Sequence, residues 1–471
     1  MNYVSTRGET TSVSFTEALL AGLARDGGLY VPETVPVLTP SAIASFAGRP
    51  FVEVVETVIS PFATDAFDPA DLRRMIETAY ATFRHPAVTP LVQLDTNLFV
   101  LELFHGRTLA FKDVAMQLLG RMMDATLKRS GRRATIVGAT SGDTGAAAID
   151  AFRGLDQVDV FILYPHGRVS DVQRRQMTTI DDGNVHTIAI EGTFDDCQAI
   201  VKGLFNHHTF RDRVGLSGVN SINWARIVAQ IGYYFVAGAV LGSPHRALSY
   251  VVPTGNFGDI LAGHYAKAMG LPIDRLVIAT NENDILDRCL KTGTYGIQGV
   301  RPTQSPSMDI QISSNFERLL FGAYGRDSTA LRGLMANLAQ AGQFTIAPEP
   351  LARIRADFDS ERVDEAGTQA EMVRTFKETG HILDPHTAIG VAAARTTLAR
   401  DPKTPVVALG TAHPAKFPDA VARATGKHPT LPEHLADLMS QRERINRLPN
   451  DIAAVESFVT DRARILADAS A

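Results

Sequence analysis

Lys112 stands where a polar turn gives way to an apolar helix, in the stretch ELFHGRTLAFKDVAMQLLG that runs from Glu102 to Gly120. A strand is predicted to end at Phe104, and Phe111-Lys112-Asp113 opens the helix. Helix N-termini favour anions, so a lysine there is electrostatically disfavoured. Leu109, Phe111 and Val114 would also strip water from its amine and lower its pKa, making the neutral, nucleophilic form accessible. A neutral buried amine is what Schiff-base chemistry with a carbonyl requires. The ordinary alternative is a lysine whose stem packs while its head reaches water, and for a single lysine that alternative is the commoner.

Three further segments place glycine and hydroxyl residues at the ends of β-branched runs. In TIVGATSGDTGAAA (Thr135–Ala148), Thr140, Ser141 and Thr144, with backbone N–H groups freed by Gly142 and Gly145, form a nest suited to a carboxylate or phosphate. The segment is neither a GxGxxG fingerprint nor a P-loop, because no lysine follows the turn. In YVVPTGNFG, the turn Gly255-Asn256-Phe257-Gly258 precedes a helix over Asp259–Met269 and can wrap a phosphate with backbone donors. In PVVALGTAHPAKF, Thr411 sits at a strand end, where its hydroxyl could meet a heteroaromatic nitrogen. Taken singly, each segment reads at least as well as an ordinary capped or tight βα turn, and for Thr135–Ala148 that reading is the commoner.

Their conjunction says more. The lysine and all three turns fall at the carboxyl ends of predicted strands, which is where ligands collect in open α/β sheets. The strands expected are Phe99–Phe104, Ala134–Gly138, Val158–Leu163, Val185–Ile190, Leu248–Pro253, Arg275–Thr280 and Val406–Gly410. Short Val-, Ile- and Leu-rich runs alternating with helices predict parallel sheets covered on both faces. Before them, Ser14–Arg25, Phe51–Ile59 and Pro69–Phe83 are predicted helices, with Leu29–Pro32 as a short strand. The charged stretch from about Leu431 is predicted to be helical and carries no chemical motif.

Composition narrows the function classes. The 471 residues, 45% hydrophobic and 21% charged, suffice for two or three domains with their own cores. A net charge of -5, with no Lys/Arg-rich block, gives no sign of a nucleic-acid footprint. Ile227–Gly242, the most apolar run, contains Gln230 and is shorter than a membrane span, so a buried helix is predicted. The N-terminus lacks the pattern of a signal peptide, and Cys197 and Cys289 stand apart, which suits a soluble protein in a reducing cytoplasm. No metal-ligand cluster competes with the lysine. His207-His208 is expected on a solvated helix, and His386 is expected to help begin one.

LELFHGRTLAFKD, GATSGDTGAAA, PTGNFGD and GTAHPAKF together closely resemble the threonine synthases, pyridoxal-phosphate enzymes of fold type II. The similarity runs from about Tyr3 to Lys427, with the motifs in matching order and the opening STRG…FTEALLAGLARDGGLYVP included. The resemblance implies an α/β protein with two parallel-sheet, three-layer domains, a small N-terminal domain and a helical C-terminal tail. The implied boundaries are residues 1–95 for the N-terminal domain, 96–113 with 227–430 for the large cofactor domain, 114–226 for a small mobile substrate domain, and 431–471 for the tail.

It further implies conversion of O-phospho-L-homoserine and water to L-threonine and phosphate, by a monomer or homodimer with neither nucleic acid nor membrane as partner. Lys112 would carry pyridoxal 5'-phosphate, Gly255, Asn256, Phe257 and Gly258 would bind its phosphate, and Thr411 would face the pyridine nitrogen as a neutral partner. Thr140, Ser141 and Thr144 would receive the substrate carboxylate. NSINWAR would hold the substrate phosphate through Asn220, Ser221 and Arg226, a role for which Arg226 offers a bidentate fork. Arg226 as one half of a structural salt bridge is the competing explanation. Asp143 stands where many fold type II relatives have asparagine near the cofactor's 3′-oxygen, so it is expected to be protonated, turned away or separated by water. A serine or threonine dehydratase, a β-replacing synthase, or a cofactor-binding scaffold without turnover are the alternatives, and NSINWAR is what separates the phosphate-using reading from the first two.

Overall fold

The Val-, Ile- and Leu-rich segments sort into two parallel sheets in the computed structural model, which describes residues 1–9 and 11–468. The larger, six-stranded sheet runs in the order Phe358–Arg362, Ile273–Thr280, Leu248–Pro253, Val406–Gly410, Leu98–Glu102 and Leu91–Asp95. Its strands are parallel except Leu91–Asp95, which returns antiparallel along Leu98–Glu102. The central strands Leu248–Pro253 and Val406–Gly410 are buried along their whole length, as expected where helices cover both faces.

The smaller sheet has five parallel strands, in the order Asn446–Leu448, Val185–Ile190, Val158–Pro165, Ala134–Ala139 and Leu216–Ser217. Its first member corrects the expectation of a purely helical tail. Asn446–Leu448 pairs with Ile188–Ile190, and the helix Ile452–Thr460 buries Val455 and Val459 against the same sheet. Three residues, two of them polar, give no period-two signal, so pairing specificity here comes from backbone groups on a strand already in place. Arg464 anchors the end of the tail on the buried carboxylate of Asp159, donating from its backbone N–H at 2.8 Å.

Two helices carry the chain from one sheet to the other and back. Lys112–Ser130 is buried on nearly every side, packing against Asp143–Phe152 and Trp224–Val240. Trp224–Val240 takes in the apolar run Ile227–Gly242 as far as Val240, and is buried through most of its length. Among the described residues, no helix is long and apolar enough to cross a membrane.

The N-terminal segment packs on this helical layer. Ser14 caps Phe15–Ala21 with a full capping box, and Asp68 caps Pro69–Tyr80 through the N–H of Ala70 at 2.9 Å. Tyr3–Ser5 and Tyr30–Pro32 form a small antiparallel ribbon beside Trp224, whose indole meets the Tyr265 ring edge-on at 4.9 Å between centroids.

Candidate active site

The strand ends converge on one cavity between the sheets. Of the residues singled out in the sequence, Lys112, Asp143, Thr144, Ser221, Arg226, Gly255, Asn256, Phe257, Gly258 and Thr411 line it. Thr140, Ser141 and Asn220 do not. The Thr140 hydroxyl is turned into its own loop, accepting from the N–H of Gly142 at 2.9 Å and of Gly145 at 2.8 Å. Asn220 is exposed, and its carbonyl accepts from the N–H of Asn223.

Lys112 is the first residue of its helix and is 8% exposed. Two links to the Thr411 segment hold the turn before it: the N–H of Phe111 donates to the Thr411 carbonyl at 2.9 Å, and that of His413 to the Leu109 carbonyl at 3.0 Å. Leu109 takes a left-handed conformation, φ 61°, to make this turn. The Lys112 amine lies 4.5 Å from the centre of the Phe111 ring and 3.7 Å from one oxygen of Asp143. Burial lowers its pKa, and the nearby cations Lys416 and Arg226 push the same way against Asp143.

Asp143 opens the helix Asp143–Phe152 and is buried. Burial alone would protonate it, but Lys416 and Lys112 together outweigh that cost and hold its carboxyl well below the usual range. Lys416 donates to one oxygen at 2.8 Å, and Gln173 donates to the same oxygen at 2.9 Å. The other oxygen accepts from the Ser307 hydroxyl at 3.3 Å and faces Lys112. Lys416, Gln173 and Ser307 escaped the sequence reading. Only Lys416, inside GTAHPAKF, lay in a segment already marked.

The turn 255–258 is built to receive an anion. It begins the eleven-residue helix Gly258–Ala268, whose dipole favours negative charge at this end. Among the described residues, the N–H groups of Gly255, Asn256, Phe257 and Gly258 donate to no acceptor in the protein. A Cβ on Gly255 would stand 2.8 Å from the Ser307 carbonyl, so only glycine fits there. Phe257 sits at φ 63°, an unusual conformation for a bulky residue, fixed by its ring packing against Phe316 and Phe358. Asn315 pins the loop from behind, donating from its side chain to the Asn256 carbonyl at 2.9 Å.

Arg226 supplies the second anion-binding device. Its guanidinium is buried and donates to the Val219 carbonyl at 3.0 Å, but its Nε has no partner. No carboxylate pairs with it among the described residues, so the salt-bridge explanation has no partner to offer. Burial pulls its pKa down to about 10. Asn223 fixes the entry to its helix, capping the N–H of Ala225 at 3.0 Å and donating to the Leu19 carbonyl at 2.9 Å. On the opposite wall, His386 pairs with buried Asp384 at 2.8 Å, and the Thr387 hydroxyl accepts from the Thr411 N–H at 3.2 Å.

A neutral-prone amine, a cradle of free N–H groups and a hydroxyl at a strand end form the donor set that pyridoxal phosphate needs for its aldehyde, phosphate and ring nitrogen. Asp259 lies just beyond the cradle. The hydroxyls of Tyr233 and Tyr234 donate to one of its oxygens, the other is buried without a partner, and burial pushes its pKa up to about 7. The sign follows from linkage: an acid whose folded pKa exceeds its unfolded value, about 4, costs stability as pH rises through that interval. Asp259→Asn is therefore expected to gain melting temperature over the parent at pH 8 relative to pH 5, as thermal unfolding at the two pH values will show. Buried Asp113, also pushed up to about 7, carries the same sign in both proteins and leaves the comparison intact.

Comparison with known proteins covers almost the whole chain. Residues 2–80 match a family model described as threonine synthase N terminus, residues 82–412 one described as pyridoxal-phosphate dependent enzyme, and residues 387–459 one described as threonine synthase, C-terminal. A threonine synthase from Pseudomonas aeruginosa is 51% identical over 461 residues, covering 98% of each chain. The crystal structure of a PLP-bound threonine synthase from Brucella melitensis shares 58% identity and a TM-score of 0.96, covering 98% of this chain and all of its own. A yeast threonine synthase structure shares 41% identity with a TM-score of 0.94, covering 98% of this chain and 99% of its own. The cavity's chemistry, the order of the motifs and these full-length likenesses agree: the chain belongs to the threonine synthases, a family of pyridoxal-phosphate dependent enzymes.

Proposed function

We propose that the protein converts O-phospho-L-homoserine and water to L-threonine and phosphate, as a cytoplasmic lyase at the last step of threonine biosynthesis. The observation that carries this reading is the pair of anion-binding devices in one cavity. The N–H cradle at 255–258 takes the cofactor phosphate, which leaves buried, unpaired Arg226 for a phosphate on the substrate. A dehydratase or β-replacing synthase acting on an unphosphorylated amino acid would leave that cation uncompensated, at a cost of several kcal/mol.

Pyridoxal phosphate, when bound, supplies an electron sink that acidifies the protons of the amino acid attached to it. The protein's residues do the rest. Lys112 would hold the cofactor's aldehyde carbon, and as a free neutral amine its Nζ would take the proton from the substrate Cα. The same amine can move protons at Cβ and Cγ, and the departing phosphate is a second base within reach of the site. Arg226 and Ser221 hold the substrate phosphate and stabilise its charge as the Cγ–O bond breaks. Thr144, and Ser141 on closure, receive the substrate carboxylate. Thr411 gives the ring nitrogen a neutral partner. Of the three alternatives for Asp143, Lys416 and Lys112 disfavour the protonated one, which leaves a carboxylate turned from the cofactor oxygen or separated from it by water.

Residues 114–226 form a smaller unit whose closure onto 96–113 and 227–430 excludes water until Cβ is ready for it. The strand Asn446–Leu448 adds the end of the chain to that unit. The two cysteines are free and buried, as suits a reducing compartment.

The test is to mix the cofactor-loaded protein with O-phospho-L-homoserine and follow both products. Phosphate and threonine are expected in equal amounts. Release of a 2-oxo acid from serine or threonine, with O-phospho-L-homoserine left intact, would replace this reading by a dehydratase.

A further inference from the structure

Lys416 is the least expected member of the site. It is wholly buried, so its ammonium group cannot reach water, and it is held by two contacts: the Thr108 carbonyl at 2.7 Å and Asp143 at 2.8 Å. Lys112 lies on the other side of the same carboxylate, at 3.7 Å. Two lysines therefore share one carboxylate, and they share it unequally.

We propose that Lys416 is a positioning residue that sets the charge at Lys112: by claiming Asp143, it keeps the Lys112 nitrogen from being held in its protonated form. This rests on reading Lys112 as the lysine that carries the cofactor. The shorter contact takes the larger part of the carboxylate's field, because attraction falls with distance and both groups lie in a poorly screened interior. Were Lys416 apolar, Asp143 would have Lys112 as its only cation and would pair with it fully, trapping the amine as ammonium. With Lys416 present, Lys112 shares Asp143 with one cation and faces a second, Arg226.

The other groups facing Lys112 do not restore the balance. Asp113 and Asp259 are buried, and both are biased toward their neutral forms. His386, on the far wall of the cavity, is already paired with Asp384. Of the three cations, Arg226 is a guanidinium that stays charged and Lys416 is locked against Asp143. Lys112 is left as the one that relieves the excess by losing its proton. The residue thus acts through Asp143 and need not touch a reactant.

The test is a visible-absorbance pH titration of the holoenzyme, which reports protonation of the nitrogen linking Lys112 to the cofactor. Lys416→Met is expected to raise the midpoint by about 1 to 3 pH units. Asp143→Asn is expected to lower it, and Lys416→Arg, which keeps the cation, to leave it close to the parent's. A midpoint in Lys416→Met that stays put or falls overturns the proposal. If that variant does not fold, Asp143→Asn decides, since an unmoved midpoint there overturns the proposal equally. Absence of a lysine-linked band in the parent would instead defeat the assignment of Lys112. The charge claim is then read from the pH dependence of Lys112 acetylation by acetic anhydride, with shifts of the same signs expected in the same variants.

Discussion

Lys112→Ala is expected to lower threonine formation by about 10⁴-fold or more, since one nitrogen anchors the cofactor and moves protons. Phosphate release from O-phospho-L-homoserine measures the loss. The fold is expected to survive, because Asp143 keeps its closer partner Lys416 and no buried carboxylate is left bare. Circular dichroism and thermal unfolding check this. Lys112→Arg sharpens the result: it restores a cation facing Asp143, yet a guanidinium does not lose its proton in a protein. It is expected to be as inactive as the alanine variant and the more stable of the two. Turnover in either variant without added amine would remove Lys112 from the chemistry.

Arg226→Met carries the second large effect, with two signs. The side chain is a buried cation with an unpartnered Nε and, among the described residues, no carboxylate paired with it, so it costs folding free energy. An apolar side chain of similar length fills the same space without that charge, so melting temperature is expected to rise. Turnover of O-phospho-L-homoserine is expected to fall by about 10² to 10³-fold, the loss typical of one preorganised charge-stabilising donor. Stability lost with activity kept would show a structural residue instead. Gain in one and loss in the other is the signature of a site held in readiness for an anion.

The sequence displayed the central strands and hid the peripheral ones, for a reason that lies in exposure. Leu248–Pro253 and Val406–Gly410 are covered on both faces and are continuous apolar runs. Phe358–Arg362, reading FDSER, and Leu91–Asp95 lie at the edges of the sheet, where solvent admits polar side chains and the pattern dissolves. Leu216–Ser217 is too short to signal anything.

The site shows a similar division. Side chains carried by glycine turns at strand ends were legible, because local chemistry marks them. Whether a hydroxyl faces a ligand or its own loop was not: Thr140 has the right type in the right turn, and its oxygen serves Gly142 and Gly145. Gln173 and Ser307 reach Asp143 from segments with no motif of their own, so only the folded chain brings them in. Lys416 stood in plain view beside Thr411. What the sequence lacked was a reason for a second lysine, and that reason is a carboxylate brought from another sheet.

The late strand Asn446–Leu448 has a bearing on synthesis. It covers Val185–Ile190, which would otherwise present a free edge with four consecutive buried residues, Thr187–Ile190. Free edges of that kind recruit other chains. On the ribosome the strand that seals this one emerges long after the rest of its sheet. The nascent protein must therefore carry an open β edge throughout that interval. A product ended prematurely before residue 446 would keep that edge for good, with self-association as its expected fate.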